Sequence, residues 1–338
     1  MSLCVAPANP VRADAKTPEN NRLPKYNIRM SSTPCSRPAA INRRSLLKSG
    51  TAAAAALAFG RLGRAVATAA AIPQVRLNNG VSMPMLGFGT YSLRGDLCTE
   101  SVADAIAAGY RLIDTAKVYQ NEEAVGAAIK KSGIDRKLLF VTSKIWVDDS
   151  GYDKAKLAFQ ETLDKLQLEY LDLYLIHRPR GDVNGSWRAM EELNAAGKIR
   201  AIGLSNFDPA QYASLMAAAK TKPAVNQVET HPILQEKVEL ATLEPATVRM
   251  EAWAPFGEGR DGLFTNPTLQ TIAGKHGKTV AQTMLRWHYQ RGVVAIPRSS
   301  NPAHRRENLA IWDFQLTPED MRTIAALDQN RSLFPEWT

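Results

Sequence analysis

What is scarce in this chain narrows the reading before any motif does. Of 338 residues only three are cysteine, Cys4, Cys35 and Cys98. Two of them precede residue 72, so the rest of the chain holds a single thiol and cannot close a disulfide within itself, which excludes a disulfide-stapled scaffold. Histidine is also rare, at five positions (His177, His231, His276, His288, His304), with no pair at i, i+4 and no accompanying carboxylate cluster. No metal site is predicted. A membrane span is missing too: the uncharged stretch between Lys48 and Arg61 is twelve residues, too short to cross a hydrocarbon core of ~30 Å as a helix.

Net charge is missing from most of the chain as well. Lys plus Arg outnumber Asp plus Glu by 42 to 33, a formal +9. Residues 1–71 hold eleven of those bases and two of those acids, which is the whole excess, so residues 72–338 carry 31 of each sign and are neutral. Non-specific phosphate affinity comes from clustered Lys and Arg, and a neutral body therefore excludes nucleic acid as a partner.

The basic segment has an order of its own. Arg43-Arg-Ser-Leu-Leu-Lys48 is followed by an Ala-rich run from Thr51 to Gly60 and by the small residues Ala65 to Ala71. Charged region, short apolar region and small residues form the sequence of a secretory signal. The paired arginines resemble a twin-arginine export signal, which serves proteins that fold before transport. The expectation is a disordered export leader over 1–71, the twin-arginine machinery as partner and a periplasmic location, with a cytoplasmic location as the alternative if the segment is only a basic tail.

Residues 72–338 contain no Pro/Gly/Ser linker, low-complexity segment or charge block, so one domain is expected. Asn79-Gly80 between two short alternating runs predicts an N-terminal β-hairpin. Eight apolar β-type runs follow: Met85–Thr90, Arg111–Ala116, Leu139–Lys144, Leu171–His177, Ile199–Ser205, Ala224–Thr230, Arg249–Pro255 and Val293–Ser299. Amphipathic helical stretches separate them, among them 100–108, 122–131, 154–166, 187–196, 209–220, 281–290 and 302–311. Continuously apolar strands alternating with helices predict a parallel sheet covered on both sides, and eight such units fit a (β/α)8 TIM barrel of class α/β better than an open doubly wound sheet. Gly87-Phe-Gly89 lacks the third glycine and the helix-opening spacing of a dinucleotide fingerprint. A Rossmann fold is not supported.

In such a barrel the chemistry sits where strands end, so polar residues at those positions are informative. Asp114 closes the second run, Tyr119 follows it by five residues, Lys144 ends the third and His177 the fourth. A phenol keeps its proton at neutral pH and can protonate a carbonyl oxygen that gains negative charge as hydride arrives at carbon. An ammonium beside it eases proton loss, Asp114 would hold Lys144 charged, and a neutral His177 would orient the carbonyl. Each residue alone is more simply a helix cap, a surface charge, a packed ring or a structural histidine; their concurrence at three strand ends favours the chemical reading.

These residues lie in longer matches: Leu112-Ile-Asp-Thr-Ala116, Tyr119-Gln-Asn-Glu-Glu-Ala-Val-Gly126, Val141-Thr-Ser-Lys-Ile-Trp146, Leu175-Ile-His-Arg-Pro179, Gly197-Lys-Ile-Arg-Ala-Ile-Gly-Leu-Ser-Asn-Phe207, Asn226-Gln-Val-Glu-Thr-His-Pro232 and Ile296-Pro-Arg-Ser-Ser300. Together they resemble the aldo-keto reductase superfamily across 72–338. Gly181-Asp-Val-Asn-Gly-Ser-Trp-Arg-Ala-Met-Glu-Glu-Leu193 and Glu251-Ala-Trp-Ala-Pro255 make the chain most similar to its bacterial 2,5-diketo-gluconate reductase group. The resemblance implies reduction of aldehydes and ketones with NADPH, or NADH, by a monomer, with Asp114, Tyr119, Lys144 and His177 as the catalytic tetrad.

It also implies that Ser205, Asn206 and Gln227 bind the nicotinamide carboxamide, that Trp253 stacks on its ring with Pro255 beside it, and that Arg298 and Ser299 meet the adenosine 2′-phosphate, with Glu307 and Asn308 close by. His304 stands where the family usually has an arginine, although Arg305 and Arg306 adjoin it. Arg178 follows His177 where relatives often carry Trp or Gln, and suggests an anionic carbonyl substrate such as a keto sugar acid. Tyr91, Trp146 and Trp187 are candidate walls of the substrate mouth, which a short tail ending Ser332-Leu-Phe-Pro-Glu-Trp-Thr338 is expected to leave open. Two other readings are weaker: a nicotinamide-nucleotide-binding sensor with little turnover, against which the full tetrad argues, and an isomerase or aldolase using Lys144 as a Schiff-base nucleophile, which Asp114 opposes by keeping that amine protonated.

Overall fold

A computed structural model describes residues 72–337, which lie within one compact unit. The expected leader lies outside the described residues. The Asn79-Gly80 turn forms as its sequence requires: Gly80 takes φ +85° and its N–H donates to Leu77 O at 2.9 Å. The flanking strands β1 (Gln74–Arg76) and β2 (Ser82–Pro84) pair antiparallel with Val75 opposite Met83. Leu77, Met83 and Met85 turn inward onto Leu112, Phe140, Leu173 and Val225, which line the first turns of the central strands. The hairpin thereby plugs the N-terminal end of the barrel with apolar surface.

Eight parallel strands follow in sequential order: β3 (Phe88–Gly89), β4 (Leu112–Asp114), β5 (Phe140–Ile145), β6 (Leu171–Ile176), β7 (Ile199–Ser205), β8 (Val225–Glu229), β9 (Arg249–Trp253) and β10 (Val294–Ala295). Seven lie within one of the eight predicted runs, and β5 runs one residue past its own, to Ile145. A parallel bridge between Leu86 and Ala295 joins the last strand to the start of the first, with Gly87 N–H donating to Ala295 O at 2.8 Å. The glycines of the Gly87-Phe-Gly89 segment are there for this seam. A Cβ on Gly87 would lie 1.8 Å from Leu112 Cδ2, and one on Gly89 2.8 Å from Ile296 O. The result is the (β/α)8 barrel, with only two-residue ladders where β3 and β10 meet their neighbours.

The helices α1 (Gly95–Ala108), α2 (Glu122–Ser132), α3 (Tyr152–Leu166), α4 (Val183–Ala195) and α5 (Pro209–Met216) follow strands β3 to β7 in turn. After β8 comes α6 (Lys237–Leu243), after β9 come α7 (Pro267–Lys275) and α8 (Val280–Gln290), and after β10 come α9 (Pro302–Leu309) and α10 (Pro318–Ala325). Their starts are chemically marked: Asp208 with Gln211, Thr279 with Gln282 and Thr317 with Asp320 each form a reciprocal capping box. On α3, Ala155, Ala158, Phe159, Thr162, Leu163 and Leu166 are buried, the spacing of one helical face against the sheet.

Candidate active site

β4 and β5 run in register with Asp114 opposite Thr142, which brings Asp114 and Lys144 together inside the C-terminal end of the barrel. Lys144 is fully buried, and an ammonium there requires an acceptor for each of its three N–H groups. It has three: Asp114 Oδ1 at 2.7 Å, Thr115 O at 3.0 Å and Tyr119 Oη at 3.4 Å. Tyr119 stands on a 3-10 turn, Lys117–Tyr119, that leaves β4. Asn121 secures that turn, donating to Thr90 O at 2.9 Å and Leu93 O at 3.1 Å while accepting from Thr115 Oγ1 at 2.7 Å.

His177 follows β6 directly. Its ring centroid lies 5.7 Å from that of Tyr119 and 5.2 Å from that of Trp146, both edge-on. The four predicted chemical residues therefore share one mouth. Burial first, then the charges of Lys144 and Arg178, hold the imidazole well below its ordinary range, so it is neutral at pH 7. Burial pulls the Lys144 ammonium down, but Asp114 and Tyr119 more than offset this and the net shift is upward.

The phenol behaves differently from expectation. Lys144 does favour phenolate, yet burial, which is the larger effect, and the Asp114 charge carry the Tyr119 hydroxyl upward overall. Its proton is held firmly in the neutral range.

On the far side of the mouth, β7 to β9 present a connected set of amides. Gln227 Nε2 donates to Asp114 Oδ2 at 2.9 Å and to Glu251 Oε2 at 2.8 Å, which spends both of its hydrogens, while its amide oxygen has no hydrogen-bond partner among the described residues. Asn206, in the left-handed region at φ +62°, donates to His177 O and Ser205 Oγ, both at 3.0 Å, and accepts from Trp253 Nε1 at 2.8 Å. Ser205 Oγ in turn donates to Gln227 O at 2.9 Å. A free amide oxygen, a fixed indole and a hydroxyl at one rim fit a carboxamide-bearing aromatic ring.

The remaining predicted cofactor positions lie around β10 and α9. Arg298 is exposed and donates to Ser92 Oγ at 2.6 Å. Ser299 sits in the turn that leads to Asn301, whose side chain caps α9. His304 is exposed and Glu307 half-buried. Asn308 is buried beside the Tyr110 hydroxyl. Arg305 and Arg306, the neighbours of His304, are both committed to Asp104 of α1, at 2.7 and 3.3 Å. Pro255 is buried, its carbonyl 3.4 Å from His288 Nε2.

Of the predicted mouth residues, Tyr91 packs edge-on to Tyr119 at 5.2 Å, and Trp146 and Arg178 border a recess with Ser150, Arg180 and Ser186. Trp187 does not belong there. It is 1% exposed, in the core between α4 and the sheet, because it continues the apolar face of that helix.

The expected open mouth is also corrected. Trp337 stacks edge-on against Tyr91 at 5.7 Å and Phe334 against Trp253 at 5.2 Å, so the tail flanks both sides of the mouth. It is anchored by Glu229 at the end of β8, which accepts from Ser332 Oγ at 2.7 Å and Leu333 N at 2.8 Å. Glu229 and Glu251 were not singled out as site residues, although an acid inside an apolar strand, as in Arg249-Met-Glu-Ala-Trp253, is the signal that could have found them.

The chain as a whole has known relatives. The model of the Aldo/keto reductase family matches residues 85–329, and the chain belongs to that family. It is similar to glyoxal reductase of Bacillus subtilis (strain 168), 48% identical over 263 residues that cover 77% of this chain and 95% of the relative. Among solved structures, an aldo/keto reductase from Brucella melitensis is 42% identical with a TM-score of 0.74, covering 76% of this chain and 100% of its own. A Bombyx mori aldo-keto reductase in complex with NADP is 34% identical with a TM-score of 0.73, covering 78% of this chain and 95% of that one.

Proposed function

We propose that this protein reduces aldehydes and ketones to alcohols with NADPH, NADH being the alternative, and that Tyr119 donates the proton. The observation that carries this is the Lys144 ammonium wedged between Asp114 and the Tyr119 hydroxyl, at 2.7 and 3.4 Å, beside a neutral His177. A bound reduced nicotinamide supplies hydride to the carbonyl carbon. The carbonyl oxygen then takes the Tyr119 proton, His177 orients that oxygen, and Lys144 stabilises the phenolate left behind. Ser205, Asn206, Gln227 and Trp253, with Pro255 beneath, would hold the nicotinamide end.

Arg298, with Ser299 and the capped start of α9, supports NADPH, since a guanidinium grips a phosphate through parallel hydrogen bonds and a helix N-terminus favours an anion. His304, Glu307 and Asn308 would line the adenosine end. Arg178 supports an anionic carbonyl compound, a keto sugar acid being one: it is half-buried, forms no ion pair among the described residues and has Arg180 beside it, Glu229 being the more distant acid that favours its charge.

The test is NADPH oxidation over a panel of aldehydes and keto acids, for wild type and Tyr119→Phe. Turnover should fall by ~10²–10⁴-fold in the variant, with NADPH binding retained by tryptophan fluorescence. Tight NADPH binding by a wild type that turns nothing over would favour the sensor reading. The Schiff-base reading needs a neutral amine, which the upward shift of Lys144 opposes; borohydride trapping of a substrate on Lys144 would revive it.

A further inference from the structure

The strand that carries Trp253 also carries a carboxyl group that no step above uses. Glu251 stands opposite Gln227 across the β8–β9 ladder and is 0% exposed. The single nitrogen Gln227 Nε2 reaches Glu251 Oε2 at 2.8 Å and Asp114 Oδ2 at 2.9 Å, so one amide bridges two acids. Lys144 spends its three N–H groups on Asp114, Thr115 and Tyr119 and makes no ion pair with Glu251. Glu251 Oε1 is buried with no hydrogen-bond partner among the described residues.

The charged groups that bear on Glu251 are Asp114 from β4 and Lys144 from β5; Gln227 from β8 is neutral, and from β10 the facing residue is Val294. An ionised carboxylate there would have one N–H donor, no cation in contact and a second acid just beyond that donor. Burying such a charge is strongly unfavourable, so geometry alone argues for the neutral form.

We propose that Glu251 is a positioning residue for proton donation: a neutral acid at the floor of the mouth that fixes the Gln227 amide on Asp114 and, when it loses its proton, weakens Tyr119 as an acid. The proposal rests on the reading of Tyr119 as proton donor. The added negative charge would offset the Lys144 ammonium and so disfavour phenolate, slowing proton transfer to the carbonyl oxygen. Burial, and after it the Asp114 charge, carries the Glu251 carboxyl up to about 8. The change therefore falls just above neutrality.

Two measurements test it on the full chain. Carbon-13 NMR of glutamate carboxyls, without cofactor, should show one group titrating near pH 8 that is missing in Glu251→Gln. In the pH profile of kcat for carbonyl reduction, wild type should fall about fivefold through that titration. Glu251→Gln should lose this decline and Glu251→Asp should restore one. Superimposable profiles for wild type and Glu251→Gln, or a Glu251 carboxyl titrating in the ordinary acidic range, would overturn the proposal. If wild type reduces no carbonyl at any pH, it is the reductase reading that has failed, and the carboxyl titration still decides whether Glu251 is a neutral acid.

Discussion

At the level of single residues, charge is handled by count. Lys144 is buried with an acceptor for each N–H, whereas Arg178 at the rim forms no ion pair among the described residues, and burial followed by repulsion from Arg180 outweighs the attraction of Glu229 and pulls its guanidinium downward. A cation left in that condition gains most from an anion delivered by the substrate. For a keto acid, kcat/KM should fall about tenfold, ~1.4 kcal/mol, in Arg178→Ala, while the value for its neutral methyl ester should hardly move. Equal kcat/KM for acid and ester in wild type, unchanged in the variant, would remove Arg178 from substrate selection. The four chemical residues and Arg178 were legible in the sequence because strand ends in a barrel point to one place. The Glu251 network was not, because the Gln227 amide that bridges β4 and β9 stands 113 residues from Asp114 and 24 from Glu251, a link no local pattern carries.

At the level of elements, apolar runs make the barrel strands readable, and helical spacing places Trp187 in the core. Val183, Trp187 and Met190 fall at i, i+4 and i+7 on α4, the spacing of a core stripe, and all three pack into the core. The tail was not readable, since what orders it is tertiary. Arg260, in the loop after β9, lies over the Phe334 ring at 4.1 Å and pairs with Glu336 at 2.7 Å, while Arg331 pairs back with Asp261 at 2.7 Å. Exposed pairs of this kind are individually weak. The buried anchor is Glu229, which also holds His231 Nε2 at 2.8 Å. Glu229→Ala would strip acceptors from the Leu333 N–H, the Ser332 hydroxyl and His231, and should lower stability by ~2–4 kcal/mol in denaturant melts. A chain ended after Arg331 should show a raised KM for small aldehydes, with kcat affected less, because Trp337 and Phe334 no longer wall the mouth. An unchanged KM would mean that the tail flanks the site without shaping it.

For the molecule as a whole, charge is divided between two parts of one chain: +9 in residues 1–71 and a balance of 31 against 31 in the remainder. Among the described residues no helix is long and apolar enough to cross a membrane. A barrel whose Lys144 is fully enclosed, and whose first and last strands must meet to close it, is compatible with a route that accepts folded cargo. That is the route the Arg43-Arg44 pair suggests, and it would let a nicotinamide nucleotide travel in its site. We propose twin-arginine export to the periplasm on this basis. In cells expressing the native gene, the protein should fractionate to the periplasm in a form shortened by roughly the leader, and Arg43→Lys with Arg44→Lys should retain it inside at full length. Nucleotide released on denaturing the periplasmic protein would show that loading precedes transport. If wild type and the double lysine variant are both confined to the cytoplasm at full length, the arginine pair is no export signal and the positive charge is that of a basic tail.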